Sequence, residues 1–175
     1  ANQHKNSGNT FNIITAFNVF AHSQDMKSMI KGVKTLLSED GIFSFEVQYL
    51  VDIAEKVLLG TFFHEHMIHY SLYSAKQFLN KNQLDIFDYE RNNIQNGSII
   101  IHACHSDEIN NKDSASISRV FKQINNEKEL GLDSFDWGIE FTQKIYQTKS
   151  SLKSFLRKNK EIALVGFGAA RSGPT

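Results

Sequence analysis

Apolar residues crowd the stretch from Phe11 to Phe20, where Phe11, Ile13, Ile14, Phe17, Val19 and Phe20 give the density expected of a strand covered on both faces. Ser23 and Asp25 can cap a helix, and Met26, Met29, Ile30, Val33, Leu36 and Leu37 repeat at helical spacing up to Gly41, which is expected to stop it. Ile42 to Val47 reads as a second buried strand, and Leu50 to Leu59 as a second helix ended by Gly60. Strand, helix, strand and helix with short connections predict a parallel sheet with crossover helices. Such sheets bind ligands at the carboxyl ends of their strands, so His22, Gln48 and Tyr49 are expected to face a cleft.

Thr61 to Tyr73 is an aromatic and histidine-rich connection, followed by a short helix that Ser74 can cap. Leu84 to Arg91 and Ser98 to His105 read as an antiparallel hairpin turning at Asn96-Gly97. Ser106 to Ser116 is polar and reads as a mobile linker. Beyond it, Ile117, Val120, Phe121 and Ile124 form one helical stripe. A longer stripe runs through Phe135, Ile139, Thr142, Ile145, Tyr146, Leu152, Phe155 and Leu156, and Ile162 to Phe167 is expected to be a strand. The expected organisation is a first domain over 1–106, a linker over 107–116 and the start of a second domain over 117–175.

Composition narrows the classes. With 41% hydrophobic and 22% charged residues the 175-residue chain is that of an ordinary globular protein. Nineteen basic residues balance nineteen acidic ones, which disfavours nucleic acid as a partner. No apolar run reaches the roughly 20 residues of a membrane span. One cysteine, Cys104, excludes an internal disulfide and a thiolate zinc cluster, fits the cytoplasm, and reads as core. The chain begins without a methionine and stops just after a glycine-rich loop, so it is expected to be a fragment.

The densest chemistry is Phe63-His64-Glu65-His66-Met67-Ile68-His69-Tyr70. A histidine beside a carboxylate can be held in one tautomer and serve as a general base. The same histidines can instead be partly buried and bonded to backbone, or His64, His66 and His69 can ligate a metal in a hydrolase or oxygenase. His22 follows a core strand, and Gly166-Phe167-Gly168-Ala169-Ala170 can present amides to a phosphate or simply pack tightly.

Four stretches taken in order resemble the sugar C-methyltransferase family: Asn18-Val19-Phe20-Ala21-His22, Gly41 to Leu50, His64-Glu65-His66 with Tyr70-Ser71-Leu72, and the Gly166 loop. The resemblance implies an α/β fold, namely the C-terminal part of a class I, Rossmann-like methyltransferase sheet ending in a hairpin, then the start of a second Rossmann-like domain. It implies methyl transfer from S-adenosylmethionine to a ring carbon of a keto-deoxysugar nucleotide. Zinc is implied only for an N-terminal domain that would precede Ala1. The implied roles are general base for His66, with Glu65 and His22 beside it; substrate binding for Phe63, His64, Tyr49 and Glu46; cofactor binding for Phe17 and Asn18; and a phosphate loop at Gly166 and Gly168. The family usually has tyrosine at Phe63, proline at Gln48 and asparagine at Phe17. An inactive fragment is the other reading, and it would leave the Phe11 to Phe20 strand as an open edge.

Overall fold

The computed structural model describes residues 8–63 and 65–165. Among them four strands form one mixed sheet in the order β1-β2-β4-β3. Strand β1 (Phe11–Phe17) runs parallel to β2 (Leu37–Gln48), and helix α1 (Met26–Leu36) makes the crossover. The Asp25 carboxylate caps α1 by accepting from the Ser28 amide at 3.0 Å. The helix ends at Leu36, not at Gly41. Leu37 is already extended and buried, and it pairs with Phe11, so strand pairing takes over before the glycine is reached. Gly41 sits inside β2, where a Cβ would come within 2.8 Å of the Leu37 side chain.

Strand β2 has two distinct faces, as the period of 2 demands. Phe43, Phe45 and Val47 join the core with Phe20, whose ring centroid lies 4.6 Å from that of Phe45. Ser44, Glu46 and Gln48 point the other way and are buried with polar partners. Strand β1 departs from expectation. It is an edge strand in which only Ala16 is buried and Ile13 is 67% exposed, because the described residues cover it on one edge only.

Helix α2 (Leu50–Lys56) ends four residues before Gly60. Val57 takes a left-handed φ of 51° and the Leu58 amide closes back on the Ile53 carbonyl at 3.2 Å, so the chain leaves the helix and turns through a 3-10 stretch at Leu59–Thr61. Helix α3 (Leu72–Asn80) starts earlier than expected. Ser71 is its N-cap, and Ser74 is the reciprocal member of the capping box. Strands β3 (Leu84–Asn92) and β4 (Ser98–His105) pair antiparallel. Their connection passes Gln95 and Asn96 in left-handed conformations and then Gly97 at φ 149°. A Cβ on Gly97 would overlap the buried Asp52 side chain, which is itself paired with Lys56 at 2.7 Å and Arg91 at 3.0 Å.

Ser106–Asn111 forms a 3-10 helix, and Asp113 then caps helix α4 (Ser114–Glu129). This helix lies beyond the expected linker, yet it packs on β3 and α3. Val120, Ile124 and Glu127 form its buried side. Glu127 is fully buried. Its carboxylate accepts from the Tyr49 hydroxyl at 2.6 Å, the Leu72 amide at 2.8 Å and the Tyr73 amide at 2.7 Å. Burial pushes the Glu127 carboxyl above the usual range, and these donors pull it back down. Helix α5 (Asp136–Lys158) buries only Phe141, and its apolar stripe, including Phe135, Ile139 and Leu152, stays exposed. Residues 162–165 are not in a strand, and the rest of the strand expected over Ile162–Phe167 lies outside the described residues. No described helix is long and apolar enough to cross a membrane.

Glu127→Ala strips three buried donors of their acceptor at once, so it is expected to lower unfolding free energy by about 2–4 kcal/mol. Urea denaturation followed by circular dichroism checks this, and a loss under 1 kcal/mol would contradict the assigned role.

Candidate active site

The segment from Leu58 to Tyr70 crosses the carboxyl ends of β1 and β2, and backbone bonds hold it at three places. The Leu50 amide donates to the Tyr70 carbonyl at 2.9 Å, the Met67 amide to the Ala21 carbonyl at 3.2 Å, and the His66 amide to the Phe63 carbonyl at 2.9 Å. His22, on the short turn after β1, donates from Nδ1 to the Glu65 carbonyl at 2.8 Å. These bonds bring His22 and His66 together from 44 residues apart, with ring centroids 4.8 Å from each other.

His66 donates from Nδ1 to the Thr61 carbonyl at 2.9 Å. A carbonyl can only accept, so the proton of the neutral ring sits on Nδ1 and Nε2 keeps its lone pair. The Phe63 ring lies 4.1 Å from the imidazole, centroid to centroid. Desolvation holds the His66 pKa below the usual 6.5, and the nearby His22 adds to that effect. The Thr61 carbonyl and the Glu65 charge act in the opposite direction. The net result is a half-buried imidazole that is neutral at pH 7 and able to take a proton. It opens on a cleft of about 360 Å³ lined by Gln48, Leu58, Thr61, Phe63 and the Gln95-Asn96 turn.

A second polar group lies at the ends of the same two strands. Asn18, left-handed at φ 53°, donates its amide N–H to the Glu46 carbonyl at 3.2 Å, and its carboxamide reaches Glu46 Oε2 at 3.4 Å. Glu46 Oε1 accepts from Asn92 at 2.9 Å. Phe17 is beside them and half-exposed.

Several sequence expectations are redistributed. Tyr49 does not face the cleft. It is fully buried and spent on Glu127, with the Arg91 guanidinium 5.0 Å from its ring, because α4 covers that end of β2. Cys104 is buried in the core, where desolvation pushes its thiol up to about 11. His64, Gly166 and Gly168 lie outside the described residues. Among the described residues no three histidine, cysteine or carboxylate side chains are grouped to hold a metal ion. Thr61 and Asn92 carried no signal in the sequence, since Thr61 acts on His66 through its backbone carbonyl and Asn92 meets Glu46 only through strand pairing.

His69 is more deeply buried than His66. Desolvation first, then the charge on His66, lowers its pKa from 6.5 to about 4. A histidine whose folded pKa is depressed contributes stability that is complete above pH 6.5 and is lost as the pH falls toward 4, because the unfolded chain binds the proton first. Urea midpoints measured between pH 7.5 and pH 4.5 should therefore drop with acidity, and His69→Phe should reduce that drop. An unchanged slope in the variant would assign the pH dependence to other groups.

Residues 93–175 match the family model described as the C-methyltransferase C-terminal domain. The chain is 27% identical over 158 residues to the C-methyltransferase NovU of Streptomyces niveus. That match takes in 88% of this chain and 36% of the relative, so the chain spans about a third of the relative's length. Among solved structures, magnesium protoporphyrin IX methyltransferase (ChlM) from Synechocystis PCC 6803 with bound SAH is 16% identical. Its TM-score is 0.43, covering 57% of this chain and 47% of that one. M1.HpyAVI is 10% identical with a TM-score of 0.39, covering 59% and 48%. At these scores the two likenesses are partial and say nothing of ligand or activity. The sequence matches show similarity to C-methyltransferases, and the stretch matched to the family model starts in the turn between β3 and β4.

Proposed function

We propose that the chain is part of an enzyme that transfers a methyl group from S-adenosylmethionine to a carbon atom of a keto-deoxysugar nucleotide, with His66 as the general base. The observation that carries this reading is the fixed tautomer of His66, whose Nδ1–H is committed to the Thr61 carbonyl while Nε2 is left basic beside the cleft. Carbon is a poor nucleophile until a proton next to a carbonyl is removed, so C-methylation needs a base of this kind. Similarity to the C-methyltransferase C-terminal domain and to a C-methyltransferase relative supports the reaction class, and the sugar nucleotide rests on the family resemblance.

In the proposed step His66 Nε2 takes the proton from the carbon alpha to the ketone. The C–H electron pair becomes the enolate double bond, and the carbonyl pair moves onto oxygen. The imidazolium that results keeps its Nδ1–H on the Thr61 carbonyl and is favoured by the nearby Glu65 charge. Nε2 then returns the proton to water. S-Adenosylmethionine, when bound, supplies an electrophilic methyl group. The described residues suit its amino-acid end in chemistry: the Asn18 carboxamide and Glu46 carboxylate lie side by side at the strand ends, with Phe17 as an apolar neighbour. His22 braces the loop through the Glu65 carbonyl and lies against the catalytic ring. The single cysteine fits the cytoplasm, and the resemblance points to His64 as a substrate contact.

His66→Gln in the full protein is expected to slow methyl transfer about 10²–10⁴-fold, the usual worth of a positioned base. Nuclear magnetic resonance in D₂O, without methyl donor, should also show the loss of exchange at the alpha carbon. Methyl transfer within a few-fold of the unmodified protein would remove His66 from this role.

A further inference from the structure

Two polar atoms of residues that line the cleft beside His66 are buried and make no hydrogen bond among the described residues: Gln48 Oε1 and Thr61 Oγ1. Both residues line the cleft and are more than nine-tenths buried, at 8% and 7% exposure. Interior polar atoms are satisfied in the great majority of cases, so two orphans on one wall call for an account. The orientation of Gln48 is fixed. Its Nε2 donates to the Gln95 carbonyl at 3.2 Å, which makes the other end of the carboxamide the oxygen.

The wall therefore has a defined chemistry. Gln48 Oε1 and His66 Nε2 can only accept, and the Thr61 hydroxyl can accept or donate. Among the described residues that line the cleft none is a lysine or arginine, so they offer no cationic partner to a phosphate. A ligand suited to this surface brings hydroxyl donors and no charge. Gln48 also stands where the resembled family usually has proline, which offers no side-chain acceptor.

We infer that Gln48 and Thr61 are a specificity-determining pair that binds a ring hydroxyl of a neutral, polyhydroxylated part of the substrate, next to the carbon that His66 deprotonates. This rests on the C-methyltransferase reading above. Gln48 is held through the hairpin turn, and Thr61 is tied directly to the base, since its own carbonyl accepts from His66 Nδ1. The selected hydroxyl is thereby placed at a fixed distance from the reacting carbon. A substrate lacking it leaves both polar atoms without a partner, and that is the basis of discrimination.

The test uses the full protein and a panel of uridine and thymidine diphosphate 6-deoxy-4-ketohexoses, each paired with analogues in which one ring hydroxyl is replaced by hydrogen. Binding is read by calorimetry and turnover as kcat/KM. The unmodified protein should prefer one hydroxylated sugar over its deoxy analogue by about tenfold or more. Gln48→Met and Thr61→Val, both close in volume to the native residues, should each reduce that ratio to about twofold. Thr61→Val should not melt at a lower temperature without ligand, since it removes only an unsatisfied buried atom, whereas Gln48→Met also gives up the bond to the Gln95 carbonyl and should melt slightly lower while staying folded. Folded variants that keep the original ratio would overturn the pairing and leave the C-methyltransferase reading standing. If the unmodified protein binds no member of the panel, the sugar-nucleotide reading falls and this inference falls with it.

Discussion

One buried carboxylate joins both flanks of the histidine-bearing segment to the rest of the chain. Glu127 of α4 accepts at once from Tyr49, at the end of β2, and from the first amides of α3. The segment that carries His66 and His69 begins after α2 and ends at α3, so its two anchors meet on one acceptor nearly 80 residues away from Tyr49 in sequence. Capping the helix start with a carboxylate is favourable in itself, since free amides and the positive end of the helix dipole converge there. Full burial makes the arrangement unforgiving, because each donor would otherwise be left without a partner in a low-dielectric interior.

The site follows from that frame. With both ends of the segment fixed, its backbone carbonyls become fixed hydrogen-bond acceptors. Thr61 uses one to set the tautomer of His66, and Glu65 uses another to hold His22. Partial burial keeps His66 neutral, and the same burial, taken further at His69, makes that residue a poor base and a poor cation. Two neighbouring histidines are thus shifted to different extents, mainly by depth. The polar face of β2 continues the pattern: Ser44, Glu46 and Gln48 alternate with the aromatic core positions and deliver polar groups to His102, to Asn18 and Asn92, and to the cleft.

Apolar surface is unevenly distributed among the described residues. Residues in β1 and along α5 have the spacing of buried elements and yet lie exposed, with Phe135 at 93%. Helix α4 shows the opposite outcome. It lies past a polar stretch that reads as a linker, but it donates Val120, Ile124 and Glu127 to the sheet's own packing.

Periodicity determined the elements. The alternation in β2, the helical stripe of α1, the hairpin at Asn96-Gly97 and the histidine-rich connection were all legible, because hydrophobic spacing and turn chemistry are local properties of the chain. Element ends were less so. Gly41 and Gly60 are helix stops by local preference, yet strand pairing at Leu37 and the left-handed Val57 end the helices sooner. Tertiary structure alone decided where polar side chains were spent. Tyr49 sits at a strand end where a ligand contact is expected, and only the arrival of α4 turns it inward to Glu127. Likewise His66 is conspicuous in the sequence, whereas the Thr61 carbonyl that sets its tautomer is a backbone atom common to every residue, and only its position in space gives it that effect.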